Sequence, residues 1–326
     1  MWVAKMNLKK DQVDSIQNAQ RLFEETWKPI HKPFPNELYH YTSATGLIGI
    51  LTSKSFWLTD LRYMNDMSEL QYAQQIIEQC IYDQIENSSL SYIQKEFLGR
   101  ISKSYSPFET GGSVYSASFC ENGNLLSQWR SYRGQGGGYA LGLDFFHTIR
   151  LLNKQCVLRK VVYNSDEQKK LVNCAISNFV DAVGIVTQNA KLEEVSNTFL
   201  PAACLAFSGV AGEIMFCLKH PDFHEEREWR LVHFSRQVSP VNREVETPQF
   251  REFQGNIIPY HSVSFEGAIE ASNNDLSGIC FPVRQITIGP TISSELNEQS
   301  IRTLMYSLSK DLEPKIEKSE IPLRWL

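Results

Sequence analysis

The period of apolar and polar positions changes several times along the chain, and each change marks an element. Residues 10–26 repeat on amphipathic helical spacing, and Pro29, Pro33 and Pro35 close that stretch. Residues 37–42 read as a strand. Ser43-Ala44-Thr45 caps a short helix over Gly46 to Thr52, and residues 55–60 read as a second strand. Asp66 and Glu69 have capping-box spacing and open a helix to about 86 with apolar positions Leu70, Ala73, Ile76, Ile77 and Cys80. Asn87-Ser88-Ser89 breaks it, and a further helix runs to about Tyr105.

Ser113 to Phe119 alternates as a strand, Asn122-Gly123 signals a turn, and Leu125 to Tyr132 reads as a short helix. A glycine-rich loop, 134–138, leads into a strand at Tyr139–Leu143, and residues 157–163 form another. From about 166 to 219 the spacing is helical, with Pro201 as a break. Strand patterns return at 228–234, 256–260 and 284–288. A helix then opens near Ser293 and runs to about 309, and Ile316–Leu326 can add an edge strand. This order predicts an α+β protein with a mixed or antiparallel central sheet. Residues 1–36 form an N-terminal helical extension, and 37–326 a single domain carrying a helical insertion at about 166–219.

Composition narrows the class. Of 326 residues, 42% are hydrophobic and 21% charged, which excludes a disordered chain. The net charge of −5 gives no general attraction to nucleic acid or anionic lipid. The seven cysteines are odd in number, scattered and free of Cys-x-x-Cys pairs, so reduced thiols in a cytoplasmic setting are expected and a zinc site is not. The first residues lack the apolar core of a signal peptide. No uninterrupted apolar stretch approaches the roughly 20 residues of a membrane span, so no membrane association is expected.

Several clusters carry candidate chemistry. In the strand 37–42, Leu38, His40 and Thr42 share one face and Tyr39 and Tyr41 the other. His40 is then either a neutral imidazole that bonds a ligand hydroxyl or a buried histidine paired with backbone. In Glu226-Arg227-Glu228-Trp229-Arg230, continuous strand geometry puts Glu226, Glu228 and Arg230 on one side. Such a carboxylate pair can stabilise a sugar cation at a cleaved glycosidic bond, or simply line a solvated edge. Asp66 and Glu69 are explained by capping, which leaves Asn65 as a ligand contact.

Arg130 and Arg133 flank the glycine-rich loop as a candidate phosphate clamp, but the glycines precede a strand rather than join a strand to a helix, which argues against a dinucleotide fingerprint. Trp129 reads as a core anchor. His220 and His224 lack the intervening Glu of a zinc protease, and Pro221 interrupts a helix through them.

Tyr39-His40-Tyr41-Thr42, Trp57-Leu58-Thr59-Asp60, Asn65-Asp66-x-x-Glu69, Ser116-Ala117-Ser118-Phe119, Leu126 to Tyr132, Glu226-x-Glu228-Trp229-Arg230 and Ile288-Gly289-Pro290 together resemble a large bacterial family known only as a domain of unknown function. A looser resemblance links the His-bearing first strand, short helix, aromatic second strand and late Glu-x-Glu to the ADP-ribosyltransferases, including bacterial toxins that modify DNA and RNA. That resemblance implies an ADP-ribosyltransferase-like fold and NAD as substrate. It implies that His40 holds the ribose, Tyr63 or else Tyr41 stacks on nicotinamide, Glu228 stabilises the ribosyl cation and Glu226 orients the acceptor. Thr42, Asn65, Ser118 and Arg130 fall on its nucleotide side.

The implied activity is an NAD-dependent ADP-ribosyltransferase or NAD-cleaving effector in phage defence or a toxin system, with a nucleic-acid or protein acceptor. The alternatives are a nucleotide or nucleic-acid sensing module without chemistry, and a protein-interaction domain that docks through the charged strand and the N-terminal helix.

Overall fold

The computed structural model describes residues 8–63, 67–87, 89–104, 113–132, 137–144, 156–235, 247–253, 255–264, 282–291, 293–308 and 313–322. The protein is α+β, with a mixed sheet. It divides into two compact units. One comprises Met1–Lys32, Asn65–Ser113 and Val161–Phe223; the other comprises Pro33–Met64, Val114–Lys160 and His224–Leu326.

The first unit is helical. Helix α1 (Lys10–Ile30) buries Ile16, Ala19, Phe23 and Trp27, the one-face spacing of an amphipathic helix. It runs past the expected stop and holds Pro29 in its last turn, where the proline leaves only the Glu25 carbonyl without its usual helical donor. Helices α3 (Met67–Ile85) and α4 (Tyr92–Ser104) follow, with α2 (Ala44–Ser53) belonging to the other unit. Helix α6 (Ser165–Asn189) starts at Asn164, whose side chain accepts from the Asp166 and Glu167 amides.

The chain then turns at Ala190. It passes through a π-helical stretch, Val195–Phe199, into α7 (Leu200–Met215). Pro201 sits in the first turn of α7 and does not break the helix, because an N–H is dispensable there. Phe97, Phe179 and Phe207, from α4, α6 and α7, meet with centroid separations of 6.4, 6.2 and 5.6 Å. Each is fully buried and contributes about 2 kcal/mol by leaving water.

Gln168 is the polar keystone of this unit. Its amide N–H groups donate to the Val162 and Lys219 carbonyls at 2.7 and 2.8 Å, and its carbonyl accepts from Tyr72 at 2.9 Å. By length and composition alone, Ser165–Asn189 and Leu192–Met215 are apolar enough to cross a membrane. Neither is an uninterrupted apolar stretch: Asp166, Glu167, Lys169, Lys170 and Asp181 interrupt the first, and Glu193, Glu194 and Glu213 the second. Both bury much of their surface inside the unit, as the core helices of a globular protein do.

The second unit carries the sheet. Its strands are β1 (Glu37–Thr42), β2 (Ser55–Asp60), β3 (Ser113–Cys120), β4 (Tyr139–Asp144), β5 (Cys156–Lys160), β6 (Glu228–Ser235), β7 (Gln249–Phe253), β8 (Asn256–Ser264), β9 (Val283–Ile288) and β10 (Lys315–Lys318). Along the sheet they follow the order β10-β9-β4-β1-β3-β2-β8-β7, with β6 joined to β3 and β5 to β6. The β9–β10 pair is parallel; β1–β3, β1–β4, β2–β3, β2–β8, β4–β9, β5–β6 and β7–β8 are antiparallel. Helix α2 (Ala44–Ser53) is capped by Ser43, whose hydroxyl accepts from the Gly46 amide at 3.2 Å. Helices α5 (Leu126–Tyr132) and α8 (Ser294–Leu308) complete the unit.

The core of this unit packs Leu38, Phe56, Leu58, Phe119, Leu141 and Trp229, among others. Strand β5 stops at Lys160, short of the expected 163. Strand β7 was not expected at all: four of its five residues are exposed, so it shows no in–out alternation.

Candidate functional site

Strand β3 is the hub. It pairs with β1 at Tyr39↔Cys120, with β2 at Thr59↔Ser116 and Asp60↔Tyr115, and also with β6. A strand has two edges, so two of these three neighbours share one edge at different heights. Between the β1 and β2 pairings lies Ser118, and its carbonyl takes a hydrogen bond from a side chain: His40 Nδ1 donates to it at 2.9 Å.

That contact decides the chemistry of His40. A carbonyl oxygen only accepts, so Nδ1 carries the proton and Nε2 keeps a lone pair. Among the described residues Nε2 has no hydrogen-bond partner. The ring rests against Phe119 and Phe56, with centroids 5.4 and 6.4 Å away. Burial lowers the imidazole pKa, the Ser118 carbonyl opposes that, and the positive Arg251 lowers it further. The two readings left open for His40 therefore combine: one nitrogen is paired with backbone, and the other is an acceptor.

Strand β6 supplies the acid. It meets β3 at the same end as β1 does, since the Glu121 amide donates to the Arg227 carbonyl at 3.3 Å, one residue beyond the Tyr39↔Cys120 pair. Glu228 and Arg230 are 4% and 3% exposed and form a two-point pair, Nε to Oε1 at 2.7 Å and Nη2 to Oε2 at 2.9 Å. A bidentate arginine fixes the carboxylate plane and favours the anion. Trp229 points the other way, into the core. There its indole N–H donates to Glu121 at 3.0 Å, and Lys160 lies 5.6 Å from its ring.

Glu226 does not share a strand face with Glu228. It ends a 3-10 helix, Pro221–Glu226, and Arg227 then takes a left-handed φ of 43° before the strand begins. The expected alternation through 226, 228 and 230 is corrected on that ground. Glu226 is half-buried one turn ahead of the strand.

Strand alternation defines the surroundings. Phe56 and Leu58, Tyr115, Ala117 and Phe119, and Trp229 and Leu231 face the core. Trp57 and Thr59, Ser116 and Ser118, and Glu228 and Arg230 therefore lie on the opposite, polar face. It is closed around Ser116, Glu228 and Arg230, and half-open at Trp57, Thr59 and Ser118. Arg251 of β7 joins it, with Nη2 donating to Thr59 Oγ1 at 2.7 Å. Trp57, Thr59, Arg251 and Tyr260 were not expected as site residues. Their partnership spans about 190 positions and leaves no mark in local spacing.

The remaining expected residues are dispersed. Tyr41 is 3% exposed; its hydroxyl donates to the Asn122 carbonyl and accepts from the Leu125 amide, each at 2.9 Å, and its ring meets Trp129 at 4.8 Å. That ring is enclosed in packing rather than offered to a ligand. Tyr63, by contrast, is 47% exposed at the end of a 3-10 helix, Leu61–Tyr63. Thr42 is buried beneath the first turn of α2, where Gly46 leaves room for its hydroxyl. Arg130 is exposed on α5. Asn65 and Asp66 lie outside the described residues, as does Arg133. No group of three or more His, Cys, Asp or Glu arranged to hold a metal occurs among the described residues.

Residues 128–231, which include Trp129, Glu228 and Trp229, match the model of a family described as a protein of unknown function, DUF2971. A solved structure, Thermus sp. 2.9 DarT in complex with ADP-ribosylated ssDNA, is similar at 10% identity and a TM-score of 0.32, over 88% of this chain and 96% of that one. No curated protein matches the chain.

Proposed function

We propose that the sheet unit binds NAD and cleaves the bond between the nicotinamide nitrogen and the ribose C1′. The observation that carries this reading is His40. It is a neutral imidazole whose tautomer is set by Ser118, leaving an acceptor nitrogen suited to a ribose hydroxyl. His40 and Glu228 lie on strands that reach β3 at its same end, with the His40 ring on the Phe119 face of the sheet and Glu228 on the Ser118 face. As the bond breaks, its electrons leave with neutral nicotinamide and positive charge develops at the sugar. A fixed carboxylate then stabilises that charge more than it stabilises the ground state. In this reading Tyr63 stacks on nicotinamide, Glu226 orients the acceptor, and a nucleic-acid or protein nucleophile takes the ADP-ribosyl group.

A second reading is favoured by one observation: the charge of Glu228 is already opposed by Arg230 within a buried pair. The same face then holds the nucleotide without breaking it. Incubating the protein with NAD and following both free nicotinamide and the melting temperature separates the two. Release of nicotinamide supports cleavage. A raised melting temperature with no release supports binding alone, since a ligand selective for the folded state stabilises it. No release and no shift contradict both.

A further inference from the structure

Among the described residues, Arg251 is a cation without an anion. It lies half-buried on edge strand β7, and its side-chain hydrogen bond goes to a neutral hydroxyl, that of Thr59. Its Nε is buried with no partner, and no carboxylate reaches the guanidinium among the described residues. Two aromatic rings flank it. The guanidinium carbon lies 5.8 Å from the Trp57 ring and 5.9 Å from the Tyr260 ring, and those rings are 5.2 Å apart at an interplanar angle of 37°.

This is an unusual place to leave a guanidinium. Other cations of the unit are matched: Arg230 by Glu228, Arg62 by Asp60 and Lys160 by Glu121. Desolvation lowers the pKa of Arg251, the direction expected of a cation held away from water without a counterion. The cost is recovered when an anion arrives with at least two acceptor oxygens, because the planar fork pairs oxygens two at a time. The flanking indole and phenol add a preference for an anion attached to a flat ring.

We propose that Arg251, with Thr59 and the Trp57–Tyr260 pair, is a subsite for the phosphate of a nucleotide whose base or sugar lies against those rings. The subsite rests on the nucleotide reading above only in the class of its ligand, and it requires no bond cleavage. Its charge is within electrostatic reach of His40. The phosphate has two chemical sources, the pyrophosphate of NAD or ADP-ribose and the backbone of single-stranded nucleic acid, and the two are separated by choice of probe.

The test is calorimetric titration of the whole protein with ADP-ribose, with adenosine and with a ten-residue oligothymidylate, repeated on Arg251→Met and Arg251→Lys. Arg251→Met keeps the packing of the stem and removes the charge. Wild-type protein is expected to bind ADP-ribose or the oligonucleotide at least tenfold more tightly than adenosine, and Arg251→Met to lose about tenfold or more for that ligand. Arg251→Lys, a point charge without the fork, falls between them.

The ligand that shows the dependence identifies the phosphate source. The proposal is overturned by equal affinity of wild type and Arg251→Met, by adenosine binding as tightly as the phosphorylated probes, or by no binding of either phosphorylated probe. The adenosine comparison needs wild-type protein alone, so it decides the matter even where Arg251→Met fails to fold. Absent nicotinamide release together with Arg251-dependent binding overturns the cleavage reading and leaves the subsite standing. Release at an unchanged KM in Arg251→Met does the reverse.

Discussion

His40 and Ser118, 78 positions apart, are joined by a 2.9 Å hydrogen bond in which the imidazole donates to a backbone carbonyl. The bond sits on β3 between its β1 and β2 pairings, and it sets which ring nitrogen can accept. His40→Ala leaves the Ser118 carbonyl without that donor. It is expected to lower stability by about 1–3 kcal/mol in urea unfolding, and to weaken ADP-ribose binding by more than the stability loss accounts for. Full-strength binding by a stably folded His40→Ala protein contradicts the ribose role.

The same residue predicts a pH dependence. Its folded pKa lies below the ordinary value of 6.5, so between those two values the unfolded chain holds a proton that the folded protein lacks. Stability is therefore complete above about pH 6.5 and falls as pH drops through that value toward the lowered one. The melting temperature of wild type is expected to fall more steeply from pH 7.5 to 5.5 than that of His40→Gln. Parallel slopes contradict a neutral, desolvated imidazole.

Tyr41 serves packing. Tyr41→Phe removes the hydroxyl that bridges Asn122 and Leu125 and is expected to cost about 1–3 kcal/mol while leaving ligand affinity within twofold. A large loss of affinity at unchanged stability returns Tyr41 to the binding surface in place of Tyr63.

The Glu228–Arg230 pair separates stability from chemistry. Glu228→Ala removes the bidentate carboxylate partner of the buried Arg230 guanidinium and is expected to cost about 3–5 kcal/mol. The double variant Glu228→Gln, Arg230→Met removes both charges and is expected to regain most of that stability, measured by thermal unfolding. A double variant as unstable as Glu228→Ala shows that the pair is not the source of the loss.

Much of the local structure was legible. Ser43 and Trp129 behave as their local patterns suggest: a hydroxyl followed by a small apolar run caps a helix, and an indole on a short helix anchors a core. The resemblance to a family of unknown function agrees with the match over 128–231. What escaped is non-local. Arg227 adopts a left-handed backbone that its residue type does not advertise, so strand alternation carried Glu226 onto a face it does not occupy. Strand β7 exposes Phe250 and Phe253 and pairs on one side only, so no period of two appears. Arg251 was invisible for the same reason, since its partner Thr59 lies 192 positions away.

The most direct test is nicotinamide release from NAD by wild type and by Glu228→Gln, at matched folding and with ADP-ribose affinity measured on both. The account predicts measurable release by wild type and a loss of about a hundredfold or more in Glu228→Gln, with affinity retained, as expected when one preorganised charge at a developing cation is removed. Equal release by the two proteins, or none from a wild type that binds ADP-ribose, contradicts it.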